Sequence, residues 1–316
     1  MGKGSPASPG NRLFRRCGCG PESEVIMSDW PVGLSTGMFY EMSIFDCLER
    51  IVGGGFSLVE VCSSPAHLDY HDKGAVREAA GRIGDLGIEA YSFHAPFSGD
   101  IDITSPDAGR REHALREMIL AAEAAATLEA RYFVIHPGPE EGFEVSAEER
   151  LQRMRHAVNV LDRVTRRCGE MGVAVVLENM LPHLFCGHTA EMLWVLGALE
   201  TVGVGTCLDT GHALLSGDVY RVMHKLSGHL AMMHANDGRG ERDDHLSPGE
   251  GSVQWEKLLR ELDHSGFSGG IILELAGDTN VPMETALARA REGRRFLRSI
   301  DKRLALSSPP TVAVSV

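Results

Sequence analysis

The sequence lacks a long hydrophobic run and lacks an excess of positive charge, and each absence narrows the functions it can have. No apolar stretch in the 316 residues approaches the roughly 20 needed to span a bilayer, so no membrane span is expected. Lysine and arginine total 31 against 44 aspartates and glutamates, a formal net charge of -13. Because nucleic-acid-binding proteins usually carry a clustered basic surface, this balance argues against a nucleic-acid partner.

The cysteines are too scattered to form a disulfide framework. They are odd in number, namely Cys17, Cys19, Cys47, Cys62, Cys168, Cys186 and Cys207. Small secreted domains held by disulfides instead have dense, even sets. The pair at positions 17 and 19 has no second pair at matching spacing, so we interpret it as part of a tail rather than a metal site. A reducing, cytoplasmic location is expected.

Composition divides the chain into one domain and two tails. Residues 1–28 are rich in Gly, Pro, Ser and Arg and lack the apolar core of a secretory signal, which predicts a disordered tail. Because a more orderly segment begins at Met27, the residues before it are also compatible with an over-extended start of translation or with an arginine-containing transit peptide. Residues 29–304 are interpreted as a single domain and residues 305–316 as an irregular C-terminal tail.

Within the domain, apolar runs rich in Val and Ile alternate with segments of helical periodicity. Strands are expected to begin near Val32, Ser57, Ile88, Arg131, Val173, Val204, Leu230 and Gly270. Helices are expected over Ser43–Val52, Gly74–Leu86, Ala108–Leu128, Ala147–Met171, Ala190–Leu199, Trp255–His264 and Pro282–Arg303. Eight such alternations predict an α/β fold of the closed (β/α)₈ TIM-barrel type. A dinucleotide-binding fold is disfavoured, because no G-x-G-x-x-G follows the first strand.

Six of the predicted strands end on a histidine or a carboxylate. These residues are His94, His136, Glu178, Asp209 with His212 close behind it, His234 and Glu274. Any one of them could simply hydrogen-bond a neighbouring loop. In a TIM barrel, however, the carboxyl ends of the strands meet at one mouth, and imidazoles mixed with carboxylates suit divalent ions such as zinc or manganese. The pattern therefore predicts a metal site. Asp243 and His245, in the loop after the seventh predicted strand, either bind a further ion or shape the turn.

The same segments form a set of short motifs. They are His94-Ala95-Pro96, His136-Pro137-Gly138, Leu177-Glu178-Asn179, Leu208-Asp209-Thr210-Gly211-His212, His234-x-Asn236-Asp237, Asp243-x-His245 with Gly249-Glu250-Gly251, and Leu273-Glu274. With these motifs, about Gly33–Ile300 resembles the xylose-isomerase-like TIM-barrel superfamily. That superfamily contains sugar isomerases and epimerases, and also the apurinic-site nucleases of the endonuclease IV type, AP endonuclease family 2.

The resemblance implies specific ligand sets. In both branches it implies a core metal held by Glu178, Asp209, His234 and Glu274. In the nuclease branch it implies two further ions, one on His94, His136 and the shared Glu178, and one on His212, Asp243 and His245. One to three divalent ions, zinc or manganese, are therefore expected as cofactors.

Two reactions fit these residues. In a sugar or sugar-phosphate isomerase or epimerase, the leading interpretation, Glu178 and Glu274 would exchange a proton through an enediolate while a metal ion binds the sugar oxygens. His212 and Arg239 would hold hydroxyl or phosphate groups, although Arg239 could also be a solvated loop charge. In the alternative, a phosphoester hydrolase of the endonuclease IV type, two or three zinc ions would bind a phosphate.

The loops favour a small substrate over DNA in either case. They are short and acidic after the early strands, with Asp69, Asp72, Asp100, Asp102 and Asp107. A phosphate backbone would be repelled there. A non-catalytic binding barrel is disfavoured because the ligand set is complete, and a homo-oligomer through the barrel helices is compatible with the sequence. His183 and His188 are interpreted as surface residues, and Glu60 and Trp255 as packing or supporting residues.

Overall fold

The computed structural model describes residues 30–277 and 280–307. The predicted N-terminal tail, with Cys17 and Cys19, lies outside the described residues, as does most of the predicted C-terminal tail. Eight strands form a closed parallel barrel in chain order: β1 (Val32–Ser35), β2 (Leu58–Cys62), β3 (Glu89–His94), β4 (Tyr132–Ile135), β5 (Ala174–Glu178), β6 (Gly205–Asp209), β7 (Leu230–Ala235) and β8 (Gly270–Leu273). The predicted (β/α)₈ barrel is confirmed, and each predicted strand begins within one residue of the observed start.

Helices connect the strands and cover the outside of the barrel. They are α1 (Ile44–Gly53), α2 (Lys73–Asp85), α3 (Ala108–Thr127), α4 (Ala147–Glu170), α5 (Thr189–Ala198), α6 (Thr210–Leu215), α7 (Val219–Leu226), α8 (Trp255–His264) and α9 (Met283–Ser307), with a 3₁₀ helix at Thr36–Phe39. The predicted helix ends agree within one residue, except that the last helix extends to Ser307, past the predicted start of the C-terminal tail. Within residues 30–277 and 280–307, no helix has the length and apolarity needed to cross a membrane.

Three short helices were missed by the sequence interpretation: Thr36–Phe39, α6 and α7. Each has fewer than nine residues, too few for a hydrophobic period to stand out. The helix α6 also follows β6 without a loop, because Asp209 ends the strand and caps the helix at the same time. Its carboxylate accepts a hydrogen bond from the backbone N–H of His212 at 2.7 Å.

The strands are buried on both faces, which explains why they read as apolar runs rather than as alternating patterns. Their outward faces pack against the helices in the main core, and their inward faces fill the barrel with a smaller cluster that includes Tyr91, Met232 and Ile272. Parallel register brings the strand ends together: Asp209 of β6 lies beside His234 of β7. The packed interior thus fixes the height at which the polar strand ends emerge.

Close packing inside the barrel makes Gly33 a sensitive position. A Cβ atom there would lie 2.7 Å from the carbonyl oxygen of Leu58 and 2.8 Å from Cδ1 of Ile272, whereas Gly81 on α2 has open space around it. Gly33→Ala should destabilise the protein by about 1–3 kcal/mol through overpacking. Gly81→Ala should stabilise it by roughly 0.5–1 kcal/mol, because alanine loses less backbone entropy in a helix. Urea unfolding followed by circular dichroism measures both, and midpoints that shift in the same direction would contradict this packing.

Candidate metal centre

Nine side chains converge at the carboxyl ends of the strands and form three groups. The groups are His94, His136 and Glu178; Glu178, Asp209, His234 and Glu274; and His212, Asp243 and His245. Within each group, the possible ligand atoms all lie within 4.8 Å of one another. Every residue that the sequence nominated as a ligand lies in one of these groups, and Glu178 belongs to two. Metal coordination by these residues stays a prediction.

Glu178 connects the first two groups. It is buried, and its Oε2 atom lies 3.2 Å from Nε2 of His94 and 3.3 Å from Nε2 of His136, while its Oε1 atom lies 2.9 Å from Nδ1 of His234. Ligand atoms bound to one tetrahedral zinc ion at about 2.0 Å are separated by about 3.3 Å. The distances from Glu178 to these histidines are compatible with shared ligation, so its Oε2 atom would serve the first group and its Oε1 atom the second.

The central group surrounds Nδ1 of His234. Oε2 of Glu274 is a buried oxygen that lies 3.2 Å from that nitrogen, at ion-pair distance but without a hydrogen bond to it. Asp209 is held in place by Asn236, whose Nδ2 atom donates to Oδ2 of Asp209 at 2.6 Å. Buried carboxylate oxygens without donors are costly unless a cation meets them. The donor set and this oxygen, which accepts no hydrogen bond, fit a divalent ion.

The third group lies nearer to solvent. Oδ2 of Asp243 is 3.5 Å from Nε2 of His212 and 3.0 Å from Nε2 of His245. Asp243 and His245 come from the loop between β7 and α8, so this group depends on how that loop is held. His245 has φ of +42°, a left-handed conformation that is unusual for a residue other than glycine.

Asp237 holds this loop in place. Its side chain is fully buried, and its Oδ1 atom accepts hydrogen bonds from the backbone N–H groups of Gly238 and Val253, both at 3.0 Å. Its Oδ2 atom accepts from the N–H of Gly249 at 3.0 Å and from Nε1 of Trp255 at 2.8 Å. Four hydrogen bonds to one carboxylate tie both ends of the loop together and fix the segment that carries Asp243 and His245. Trp255 therefore has the supporting role expected from the sequence.

The histidines are oriented by their second ring nitrogens. The Nδ1 atoms of His94, His212 and His245 lie 2.9, 2.9 and 3.0 Å from the carbonyl oxygens of Ala95, Asn179 and Glu274, and Nδ1 of His136 lies 2.5 Å from Oε1 of Glu140. In the neutral imidazole, a proton kept on Nδ1 by such a partner would leave Nε2, the atom directed at the groups, free to bind a metal ion. Metal-binding histidines almost always have such an outer partner, which fixes the tautomer and ring orientation.

Glu60 orients the imidazole ring of His234 from the barrel-interior side. It is fully buried in β2, accepts hydrogen bonds from Oγ of Ser35 at 3.1 Å and of Ser92 at 2.8 Å, and lies 2.9 Å from Nε2 of His234. The sequence did not reveal this contact, although it contained a signal. A charged residue inside an apolar strand requires a partner, and only the closed barrel shows that the partner is on β7.

The buried charges raise several pKa values. Burial disfavours a charged His212, but the carboxylates of Asp209 and Asp243 raise its pKa to about 9. Burial likewise opposes a charged His136, yet Glu140 and Glu178 raise its pKa to about 10. Burial, with Glu274 and Glu178 close by, raises the pKa of Asp209 to about 6 despite His212. The groups thus hold protons in the absence of metal, and ions would displace those protons on binding.

Arg239, His183 and His188 lie outside the three ligand groups. Arg239, a predicted substrate-binding residue, has an exposed side chain, and its backbone N–H donates to Oδ2 of Asp244 at 3.0 Å. His183 and His188 are exposed on the loop after β5, as expected of surface residues. Substrate binding by Arg239 stays a prediction.

A closed barrel with imidazoles and carboxylates gathered at its carboxyl mouth is the arrangement found in metal-dependent TIM-barrel enzymes. Over residues 48–300 the chain matches the family described as xylose isomerase-like TIM barrel, and it belongs to that family. An uncharacterised protein of Methanocaldococcus jannaschii is 27% identical over 78% of this chain and 84% of its own length. A probable endonuclease 4 of Mycobacterium ulcerans is 28% identical over 70% of this chain and 82% of its own length.

Among solved structures, a D-tagatose 3-epimerase-like protein superposes with a TM-score of 0.75 and is 21% identical, over 87% of this chain and 98% of its own. At that identity the likeness shows a shared fold and carries no information about the reaction. The comparisons thus give family membership, a relative named as a probable endonuclease 4, and a structural neighbour named as epimerase-like that shares the fold.

The contact between Glu60 and His234 generates a prediction about metal affinity. In Glu60→Gln, the amide can donate to Nε2 of His234, which moves the proton to Nδ1, the atom that faces Glu178 and Glu274. The affinity of the central group for zinc should fall by about 10–100-fold, the usual effect of losing an outer partner of a metal-binding histidine. Competition with a chromogenic chelator measures the affinity, and nitrogen-15 NMR of labelled histidine reports the tautomer.

Glu170→Gln is the matched control, because Glu170 is exposed at the carboxyl end of α4, on the opposite side of the barrel. It should bind zinc like the unmodified protein. Unchanged zinc affinity and an unchanged His234 tautomer in a folded Glu60→Gln protein would show that Glu60 only fills space.

Proposed function

We propose that this protein is a divalent-metal-dependent phosphoester hydrolase. The observation that carries the proposal is the third group, His212, Asp243 and His245, which stands beside two groups that share Glu178. One ion is enough for proton transfer between the carbons of a sugar, whereas phosphoester hydrolases use clusters of ions to hold the attacking and leaving oxygens. We therefore place the hydrolase first, ahead of the sugar isomerase or epimerase that was the leading interpretation of the sequence.

The cavity at the mouth supports this assignment. It has a volume of about 200 Å³ and is lined by His94, Glu274 and His245, one member of each group. A phosphate entering this cavity would therefore approach all three groups at once.

Hydrolysis would break the bond between phosphorus and one ester oxygen and form a bond between phosphorus and a water oxygen. The proton that the water loses balances the one that the leaving alcohol gains. Ions bound in such clusters neutralise the phosphate and lower the pKa of a bound water. The chain itself would hold the cluster through Glu178, keep His234 in one tautomer through Glu60, and keep the third group in place through Asp237.

Sugar isomerisation or epimerisation is the second candidate. A specific observation favours it: Oε1 of Glu178 and Oε2 of Glu274 both lie close to Nδ1 of His234, at 2.9 and 3.2 Å. Two carboxylates around one ion are what proton exchange on a bound sugar requires. This candidate makes use of the central group and, from the third group, of His212 as a substrate-binding residue, but it gives Asp243 and His245 no role.

Asp243→Asn separates the two candidates, because it removes a charge from the third group alone. In the hydrolase, hydrolysis of bis(p-nitrophenyl) phosphate should fall by on the order of 100-fold, and metal content by one ion per chain. In an epimerase, turnover of a ketohexose should be nearly unchanged. Release of p-nitrophenolate and sugar chromatography measure the two activities on protein reconstituted with zinc, manganese or cobalt.

Asp244→Asn is the control within the same loop, since Asp244 contacts Arg242 and the backbone of Arg239 and belongs to no ligand group. It should keep both the activity and the metal content. Epimerisation without hydrolysis in the reconstituted protein, preserved in Asp243→Asn, would overturn the hydrolase assignment.

A further inference from the structure

The rim of the mouth is acidic. The segments that join the strand ends to the following helices contain two cationic residues other than histidine, Arg239 and Arg242, both in the loop after β7. Among the described residues, the carboxylates in these segments, beyond those of the ligand groups and Asp237, are Glu41, Asp69, Asp72, Asp100, Asp102, Asp107, Glu140, Glu141, Glu144, Glu241, Asp244 and Glu250. Some of these carboxylates are engaged, since Asp72 and Asp107 cap helices and Asp102 is buried, but carboxylates still outnumber cationic side chains in these segments.

The arginines at the helix starts around this rim are already engaged. Arg110 donates to the carbonyl oxygen of Gly99 at 2.7 Å and Arg111 to that of Ser105 at 2.7 Å, while Arg150 pairs with Glu191 at 2.8 Å. Arg242 in turn donates to Asp244 at 2.7 Å. Proteins that bind nucleic acid neutralise many backbone phosphates with free lysines and arginines. This rim offers few free lysines and arginines. Ions bound in the ligand groups would be the main positive charges available, and they would suffice for a single phosphate.

The mouth also exposes aromatic surface. Phe97 is 51% exposed, and its ring centroid lies 5.1 Å from that of His94 and 5.3 Å from that of His136. Tyr40 is 43% exposed, and both aromatic rings line the same cavity as His94, Glu274 and His245. Exposed aromatic rings beside a polar site mark a surface that a ligand covers. The two rings would receive a flat apolar group joined to the phosphate.

From the charge and the aromatic rings together, we infer that the substrate is a small phosphodiester, one alcohol of which carries a flat, uncharged or cationic apolar group that packs on Phe97 and Tyr40. Nucleic acid is not the substrate. The inference rests on the proposed hydrolase activity and deepens it. Water would supply the new oxygen on phosphorus, the bond to one alcohol oxygen would break, and the products would be that alcohol and a phosphomonoester.

Two diesters with one leaving group test the aromatic contact: p-nitrophenyl phenyl phosphate and p-nitrophenyl methyl phosphate. The zinc-reconstituted protein should prefer the phenyl ester in kcat/KM, and Phe97→Ala should reduce that preference by on the order of tenfold, as expected for loss of a stacking ring. Trp194→Ala, which removes an aromatic ring that is 38% exposed on α5, should leave the preference unchanged. An equal loss for both esters in Phe97→Ala would overturn the aromatic contact.

Binding provides a readout that does not depend on turnover. By calorimetry, the metal-loaded protein should bind phenylphosphonate more tightly than methylphosphonate, and Phe97→Ala should remove the difference. A fluorescent duplex with an abasic site should show no binding and no cleavage at low salt. Tight binding and cleavage of that duplex would overturn the substrate class while supporting hydrolysis. Phenylphosphonate preference without hydrolysis of either diester would instead overturn the hydrolase and leave the aromatic contact standing.

Discussion

Both oxygens of the Glu178 carboxylate face histidines from other strands, and the candidate centre is arranged around that one side chain. Oε2 faces His94 and His136, and Oε1 faces His234. A buried carboxylate with three imidazole neighbours is stable only if protons or metal ions balance its charge. Because two groups share it, a change at Glu178 acts on two possible ion positions at once. The remaining features of the mouth serve to hold these positions.

Support for this carboxylate comes from below and from above. Below, the packed barrel interior sets the height of the strand ends, and Glu60 anchors His234 from the far side of the imidazole ring. Above, the carboxylate of Asp237 ties together the loop that carries Asp243 and His245. Outer contacts of this kind limit ring rotation and are the usual means by which proteins tune metal affinity. The centre is therefore a property of the barrel as a whole.

Much of this arrangement could be predicted from the sequence, because the carboxyl ends of all strands in a parallel barrel meet at one mouth even when the strands are far apart in the sequence. All nine nominated ligands meet there, and the eight strands lie where the apolar runs indicated. The pairing of Glu60 with His234 could not be predicted, since it joins β2 to β7 across the barrel. The exposure of Phe97 and Tyr40 also depends on loop geometry, which no periodicity encodes. The proximity of Asp243 and His245 to His212, on which the proposed hydrolase activity rests, likewise depends on loop geometry.

The most direct test of the shared-carboxylate centre is the metal content of the purified protein, determined by elemental analysis after reconstitution and removal of loosely bound ions. Two or three divalent ions per chain are predicted. Glu178→Gln should then lose more than one of them, because two groups lose a ligand together. One ion or none in the unmodified protein, or the loss of a single ion in a folded Glu178→Gln protein, would contradict a multinuclear centre built on Glu178.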